Sequence, residues 1–194
     1  MIMRTGQTKD GESQMGAYVV IDLEMCKVKK EQRKEFHMSR EIIQIGAVLV
    51  DESEKVTRQF NRLVRPEYGR VDSFIEELTG ISQDAVEDAP LLADALDAFS
   101  QWLPEGNVTA VSWGMSDKAQ LKKELSEKGI RMNVMDRLFL HWIDGQKMFV
   151  QKMGGQYPCP LAGALAAAGI ESGGKAHDGL ADAYHTAVLL TRIV

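Results

Sequence analysis

Three short segments hold acidic and imidazole side chains at spacings that invite chemistry. In "AYVVIDLEMC" (residues 17–26) an apolar, strand-forming run leads into Asp22 and Glu24, one leucine apart. Alternate side chains of a strand share a face, so the two carboxylates would point the same way about 7 Å apart. Like charges so placed repel, and one keeps its proton unless something relieves the repulsion. A basic side chain, open water or a divalent metal would each do so. In "SWGMSD" Asp117 follows a predicted strand at the start of a helix, where an acidic residue also serves the helix dipole. In "HDGLADA" His177 precedes Asp182 by five residues, in a glycine-rich loop that runs into a helix. His37 and His141 have no such context, and His185, three residues beyond Asp182, reads as a structural or surface residue. Each feature alone has an ordinary explanation: Asp-x-Glu arises by chance on the order of once in a chain of this size.

The elements that must carry these residues are legible in the hydrophobic pattern. "AYVVID", "EIIQIGAVLVDE" (41–52) and "VTRQFNRLV" (56–64) read as three strands of a meander, with 51–55 as the turn between the last two. "APLLADALDAFSQWLP" places Leu92, Leu96, Phe99 and Leu103 on one helical face. "NVTAVSW" (107–113) reads as a fourth strand, broken by Gly114. Ser116 is the expected N-cap of a helix that Gly129 stops. "DGQKMFVQKM" is read as a helix closed by Gly154 and Gly155, "CPLAGALAAAGI" as a helix ending at Gly169, and Asp178 as the cap of a last helix. A meander followed by alternating helices and strands indicates a three-layer α/β domain with a mixed sheet.

Composition bounds the function. With 44% apolar residues the 194-residue chain suits one soluble domain. The polar, glycine-containing residues 1–16 read as a mobile arm without the apolar stretch of a signal peptide, leaving 17–194 as the domain. No apolar run is long enough to span a membrane. Cys26 and Cys159 lack metal-ligand spacing and fit a reducing cytoplasm, Cys26 as a small buried hydrophobe. Trp113 is expected in the core near Asp117. The net charge of −5 argues against coating nucleic acid by bulk electrostatics. It leaves room for an acidic metal pocket beside a local basic patch. "KVKKEQRKEFHMSR" (27–40) is such a patch, either a solvated loop or a phosphate contact made by residues such as Lys29, Lys30 and Arg33.

Taken together, Asp22-Leu23-Glu24, Asp117 and His177-x4-Asp182 resemble the DEDDh family of 3′-to-5′ exonucleases, the RNase H-like group that includes proofreading subunits and RNase T. "EIIQIGAV", "IEELTGIS", "APLLADALDAF", "SWGMSD" and "LAGALAAAGI" extend the resemblance over residues 18–190. The branch it resembles most holds small-RNA and histone-message exonucleases and sporulation-inhibitor-type bacterial enzymes. The resemblance implies an RNase H-like three-layer α/β fold with a mixed central sheet, expected to have five strands. It implies release of nucleoside 5′-monophosphates from single-stranded 3′ ends, RNA favoured, by a two-metal mechanism. Oxygen ligands without sulfur suit two Mg²⁺ or Mn²⁺ ions. By this likeness Asp22 bridges both ions, Glu24 and Asp182 hold the one with the attacking water, Asp117 binds at the margin, and His177 is the general base. Relatives carry a Thr-Cys pair where Met25-Cys26 stands here, which makes Met25 a candidate substrate contact, with filling of the core as the alternative. The five residues do not read the 2′-hydroxyl, so a DNA exonuclease is an alternative. An idle nucleic-acid-binding module is a second alternative, against which the intact set of five argues.

Overall fold

Valine, isoleucine and aromatic residues dominate the first half of the chain, and the first strands form where they cluster. The computed structural model describes residues 17–106, 108–171, 173 and 177–192; the arm expected over 1–16 lies outside the described residues. β1 (Tyr18–Val28), β2 (Arg40–Val50) and β3 (Val56–Leu63) form an antiparallel meander in the order β3-β2-β1. Every residue of β2 after Arg40 is buried, as expected of a central strand covered on both faces. β3 is the edge and is largely exposed, with only Phe60 buried. Its turn is built by Asp51, whose Oδ1 accepts from Ser53 N, Ser53 Oγ and Lys55 N.

The sheet then changes direction. β5 (Thr109–Ser112) runs parallel to β1, and β6 (Trp142–Asp144) runs parallel to β5. β4 (Gly69–Arg70) pairs with the far end of β1 at Lys27 and Val28. The mixed α/β architecture is as expected, with six strands in place of five. Beyond the four strands legible in the hydrophobic pattern, the sheet adds β4 and β6, whose two and three residues are too short to show an alternation.

Alternation along β1 sorts the layers. Val19, Ile21 and Leu23 face a core shared with α3 (Leu92–Trp102), α4 (Ser116–Glu127) and α5 (Asn133–Leu140). Tyr18 and Val20 face α8 (Gly179–Thr191), beside which α6 (Gly145–Lys152) and α7 (Leu161–Ala167) pack through Phe149, Leu165 and Leu189. Leu92, Leu96 and Phe99 are buried as their spacing predicts, while Leu103 caps α3. The short α1 (Ser73–Thr79) and α2 (Gln83–Glu87) close the sheet's other end around Cys26 and Ile43.

Three local expectations need correction. β1 does not end at the carboxylates but continues to Val28, because β2 and then β4 remain available as partners. Met115, not Ser116, caps α4; Ser116 turns its hydroxyl to Asp117 instead. Trp113 is half-buried against Phe149, with its Nε1 donating to the Cys159 carbonyl, so it belongs to the α6–α7 side and not to a core around Asp117.

α4 is pinned at its C-terminal end by a buried ion cluster. Lys128, its side chain 4% exposed, contacts Glu41 at 2.7 Å and Glu67 and Glu124 at 3.0 Å each. Glu41 also accepts the backbone N–H groups of Glu67, Tyr68 and Gly69, and Glu124 accepts that of Ile42. These bonds satisfy charges that burial would otherwise penalise heavily.

Candidate active site

The parallel pairing of β1 with β5 ends at Val20. Two residues later the backbones have parted, and β1 presents Asp22 and Glu24 on the face toward α8. The gap leaves the Leu23 N–H without a strand partner, and Asp117 Oδ1 accepts it at 3.1 Å. The other Asp117 oxygen accepts from Ser116 Oγ at 3.1 Å. Asp117 therefore fixes the start of α4 against β1 while standing next to the pair.

α8 brings the remaining groups. Asp178 caps it, accepting from the N–H groups of Leu180 and Ala181. Asp182 lies one turn in, and its Oδ2 accepts the backbone N–H of His177 at 3.1 Å. That bond holds His177 in a left-handed conformation, φ +63°, with its ring exposed. Glu24, His177 and Asp182 each offer a ligand atom, all within 4.8 Å of one another.

The seat of α8 is built by the two β2 residues that pair with the carboxylates. Gln44 lies opposite Glu24, and Gly46 lies opposite Asp22. Gln44 Oε1 accepts the Gly179 N–H at 2.9 Å, and its Nε2 donates to Asn61 Oδ1 at 3.0 Å. A Cβ on Gly46 would collide with the Gly179–Leu180 peptide, and one on Gly179 would come within 3.1 Å of the Asp22 carbonyl. Bare backbone on both sides lets the helix rest on the strands.

Electrostatics define what this arrangement is suited to bind. Burial, followed by Asp117, Glu24, Asp182 and Asp178, holds the Asp22 carboxyl well above its ordinary value. Burial, then Asp182, Asp117 and Asp178, pushes Glu24 up to about 8. Burial also raises Asp117 and Asp182, opposed by the Leu23 and His177 N–H groups respectively. Among the described residues the charged neighbours acting on Asp22 and Glu24 are carboxylates. The pocket thus gathers anions that repel one another, and its oxygen-rich donors suit hard divalent cations that would let them ionise together.

The other sequence candidates lie apart. Met25 points to the opposite face of β1, packs on the α4 side and lines a cavity of about 250 Å³ with Met38, Ser116 and Gln120. Lys29, Lys30 and Arg33 lie past the end of β1, where with Lys27 and Arg70 they surround a cavity of about 460 Å³. Arg33 Nε donates to the Val28 carbonyl, and Lys27 pairs with Asp72 at 3.2 Å. Lys27 is five residues beyond Asp22, about 16 Å along a strand. Cys26 is buried, and burial above all pushes its thiol up to about 12, which leaves no thiolate for nucleophilic work. Gln44 and Gly46 are the residues that sequence reasoning did not single out, while Asp178, expected as a helix cap, also acts on Asp22 and Glu24 with its charge. The visible signal was a glutamine inside the otherwise apolar "IIQIGAV" (residues 42–48).

A profile of the Exonuclease family (RNase_T) matches residues 19–190. The 3′-5′ exonuclease Snipper of Drosophila melanogaster is 30% identical over 200 residues, covering 92% of this chain and 69% of its own. ERI1 exoribonuclease 2 of Danio rerio is 34% identical over 188 residues, 84% of this chain but 33% of that protein. The chain therefore spans about a third of that longer relative. The nuclease domain of 3′hExo, a DEDDh family member solved with rAMP, superposes with a TM-score of 0.78 at 22% identity, covering 94% of this chain and 93% of that one, and so shares its fold.

Proposed function

Since the chain belongs to the RNase_T exonuclease family, we propose that residues 17–194 form a 3′-to-5′ exoribonuclease domain of the DEDDh type. It removes nucleoside 5′-monophosphates from single-stranded RNA 3′ ends with two Mg²⁺ or Mn²⁺ ions. The observation that carries this reading is the convergence of Glu24, His177 and Asp182 within 4.8 Å, beside Asp22, whose carboxyl burial and the neighbouring carboxylates raise well above its ordinary value. Support for RNA comes from relatives named as exoribonucleases and from the rAMP bound to the structurally similar 3′hExo domain. Two free cysteines, one buried, support a reducing cytoplasmic setting, and no described helix is long and apolar enough to cross a membrane.

Asp22 would hold both ions, with Glu24 and Asp182 completing the site nearer His177 and Asp117 at its margin. When bound, the cations supply charge neutralisation and Lewis acidity at the phosphodiester. The rest falls to side chains. His177, in its neutral form, accepts the proton of the attacking water, and the bond from its N–H to Asp182 fixes the loop that carries the ring. Asp117 spends both oxygens on Leu23 and Ser116, which suits a supporting role over direct ligation. The basic cavity past β1, lined by Lys29, Lys30 and Arg33, contributes phosphate contacts, and Met25 contributes an apolar contact from the neighbouring cavity.

The test is a panel of matched 5′-labelled RNA and DNA, single-stranded and with 3′ overhangs, in Mg²⁺, Mn²⁺ and EDTA. A ladder shortening from the 3′ end, faster on single-stranded RNA and abolished by EDTA, is expected. Equal or greater rates on DNA would transfer the reading to a DNA exonuclease, and no product under any condition would make the chain a binding module.

A further inference from the structure

We infer that Gln44 is a positioning residue that sets how closely His177 and Asp182 approach Glu24, and thereby how tightly the site holds its cations. Gln44 is buried and polar within the otherwise apolar residues 42–50 of β2, so its amide must be satisfied internally. Both ends are: Oε1 takes the first free N–H of α8, at Gly179, and Nε2 gives a hydrogen bond to Asn61 on β3. The Gly179 N–H is one of the helix-terminal donors that lack an intrahelical acceptor. Asp178 satisfies the next two, at Leu180 and Ala181. Gln44 is thus the cap that comes from the sheet, and it ties the helix to the strand residue paired with Glu24.

The bare Gly46–Gly179 contact allows α8 to approach but gives it no polar grip on the strands. Without Gln44, the helix start would be free to slide on a smooth backbone surface. His177 and Asp182 would move together, because the His177 N–H is bonded to Asp182. Glu24 would stay, held by the β1–β2 ladder. Loss of Gln44 therefore separates one side of the ligand cluster from the other.

This inference rests on the reading that Asp22, Glu24 and Asp182 hold divalent cations, and the experiment separates the two. Gln44→Met keeps the side-chain length and removes both hydrogen bonds. Mn²⁺ binding measured by calorimetry should weaken by about 10- to 100-fold, the range seen when outer partners of metal ligands are removed, with a parallel fall in kcat. KM for an oligonucleotide should stay within about twofold, since Gln44 is buried behind the ligands and a uniform binding contact is not lost. Asn61, exposed on β3, gives a gentler probe. Asn61→Ala frees one end of the amide and should weaken Mn²⁺ binding in the same direction, while Asn61→Asp keeps the acceptor and restores it. Wild-type protein that binds no Mn²⁺ would refute the metal reading. Wild-type protein that binds Mn²⁺, with a folded Gln44→Met binding it equally well, would refute the role of Gln44. Should Gln44→Met fail to fold, an Asn61→Ala protein with unchanged Mn²⁺ affinity refutes it as well.

Discussion

Removing divalent cations and raising the pH should destabilise this protein, because the pocket's carboxylates would then ionise against one another. Glu24 carries a quantifiable part. Its carboxyl titrates near 8 in the folded chain against an ordinary 4.5, through burial first and then Asp182, Asp117 and Asp178. A group that holds its proton more tightly when folded favours folding fully below the lower value, and that advantage is lost as pH rises through the upper one. The interval of about 3.5 pH units, at 1.36 kcal/mol each, amounts to about 5 kcal/mol. Net stabilities are about 5–15 kcal/mol, so the loss is a large fraction of the whole. Asp22 shifts in the same direction and adds to it. Outside the pocket burial raises Glu124 in the same direction, and the other shifted groups stay outside the window. Asp51 and Asp72, held low by hydrogen bonds to Ser53 and Ile75, have contributed fully by pH 5, and Tyr18 and Cys26 titrate near 12. The assay is urea unfolding of EDTA-treated protein at pH 5, 6.5 and 8, repeated in saturating Mg²⁺. Stability of the metal-free protein should fall by several kcal/mol from pH 5 to 8, Mg²⁺ should largely abolish the fall, and Glu24→Gln should flatten it. A metal-free protein as stable at pH 8 as at pH 5 would show that the carboxylates ionise without cost and would refute the argument.

Asp22→Asn should abolish cleavage and weaken Mn²⁺ binding in calorimetry; near-normal rates in Mg²⁺ would remove Asp22 from the metal assignment. His177→Ala should lower the rate by about 10²–10⁴-fold with folding and Mn²⁺ affinity nearly intact, and an unchanged rate and pH profile would place the base elsewhere. Replacing Lys29, Lys30 and Arg33 with glutamine should raise KM and flatten its salt dependence, whereas an unaltered slope would return the segment to a solvated loop. Lys128→Met leaves Glu41 and Glu124 buried without their cation and should cost about 3–5 kcal/mol in urea unfolding; a change under about 1 kcal/mol would refute the cluster's structural weight.

Much of the scaffold could be read from local pattern. The Asp51 turn, the apolar face of α3 and the Asp178 cap are decided by residues a few positions apart, and each formed as expected. What local pattern missed was decided by distant partners. β4 and β6 are strands only because β1 and β5 offer open edges to two or three residues. Ser116 has the chemistry of a cap, but a carboxylate beside it competes for the hydroxyl. Lys128 follows a charged helix that reads as a solvated surface, and only the fold brings Glu41 and Glu67 around it. In the candidate site, the Asp22–Glu24 pair announces itself by the oddity of two carboxylates in an apolar strand. Gln44 and Gly46 do not, because their importance depends on a register with β1 and a contact with α8 that no spacing reveals.

The seat of α8 also governs when the protein acquires its chemistry. Gln44 and Gly179 are 135 residues apart, whereas the meander that carries Asp22 and Glu24 closes through contacts between neighbouring strands. Local contacts form before distant ones, and a chain emerging from the ribosome folds from its N-terminal side at about 5–20 residues per second. For about 7–27 seconds of synthesis, the time needed to add those 135 residues, the two strand carboxylates exist without the helix that carries Asp182 and the loop before it that carries His177. A nascent chain in that interval lacks the cluster of Glu24, His177 and Asp182. The long sequence separation thus places the assembly of that cluster late in synthesis, when Gly179 comes to rest on Gly46.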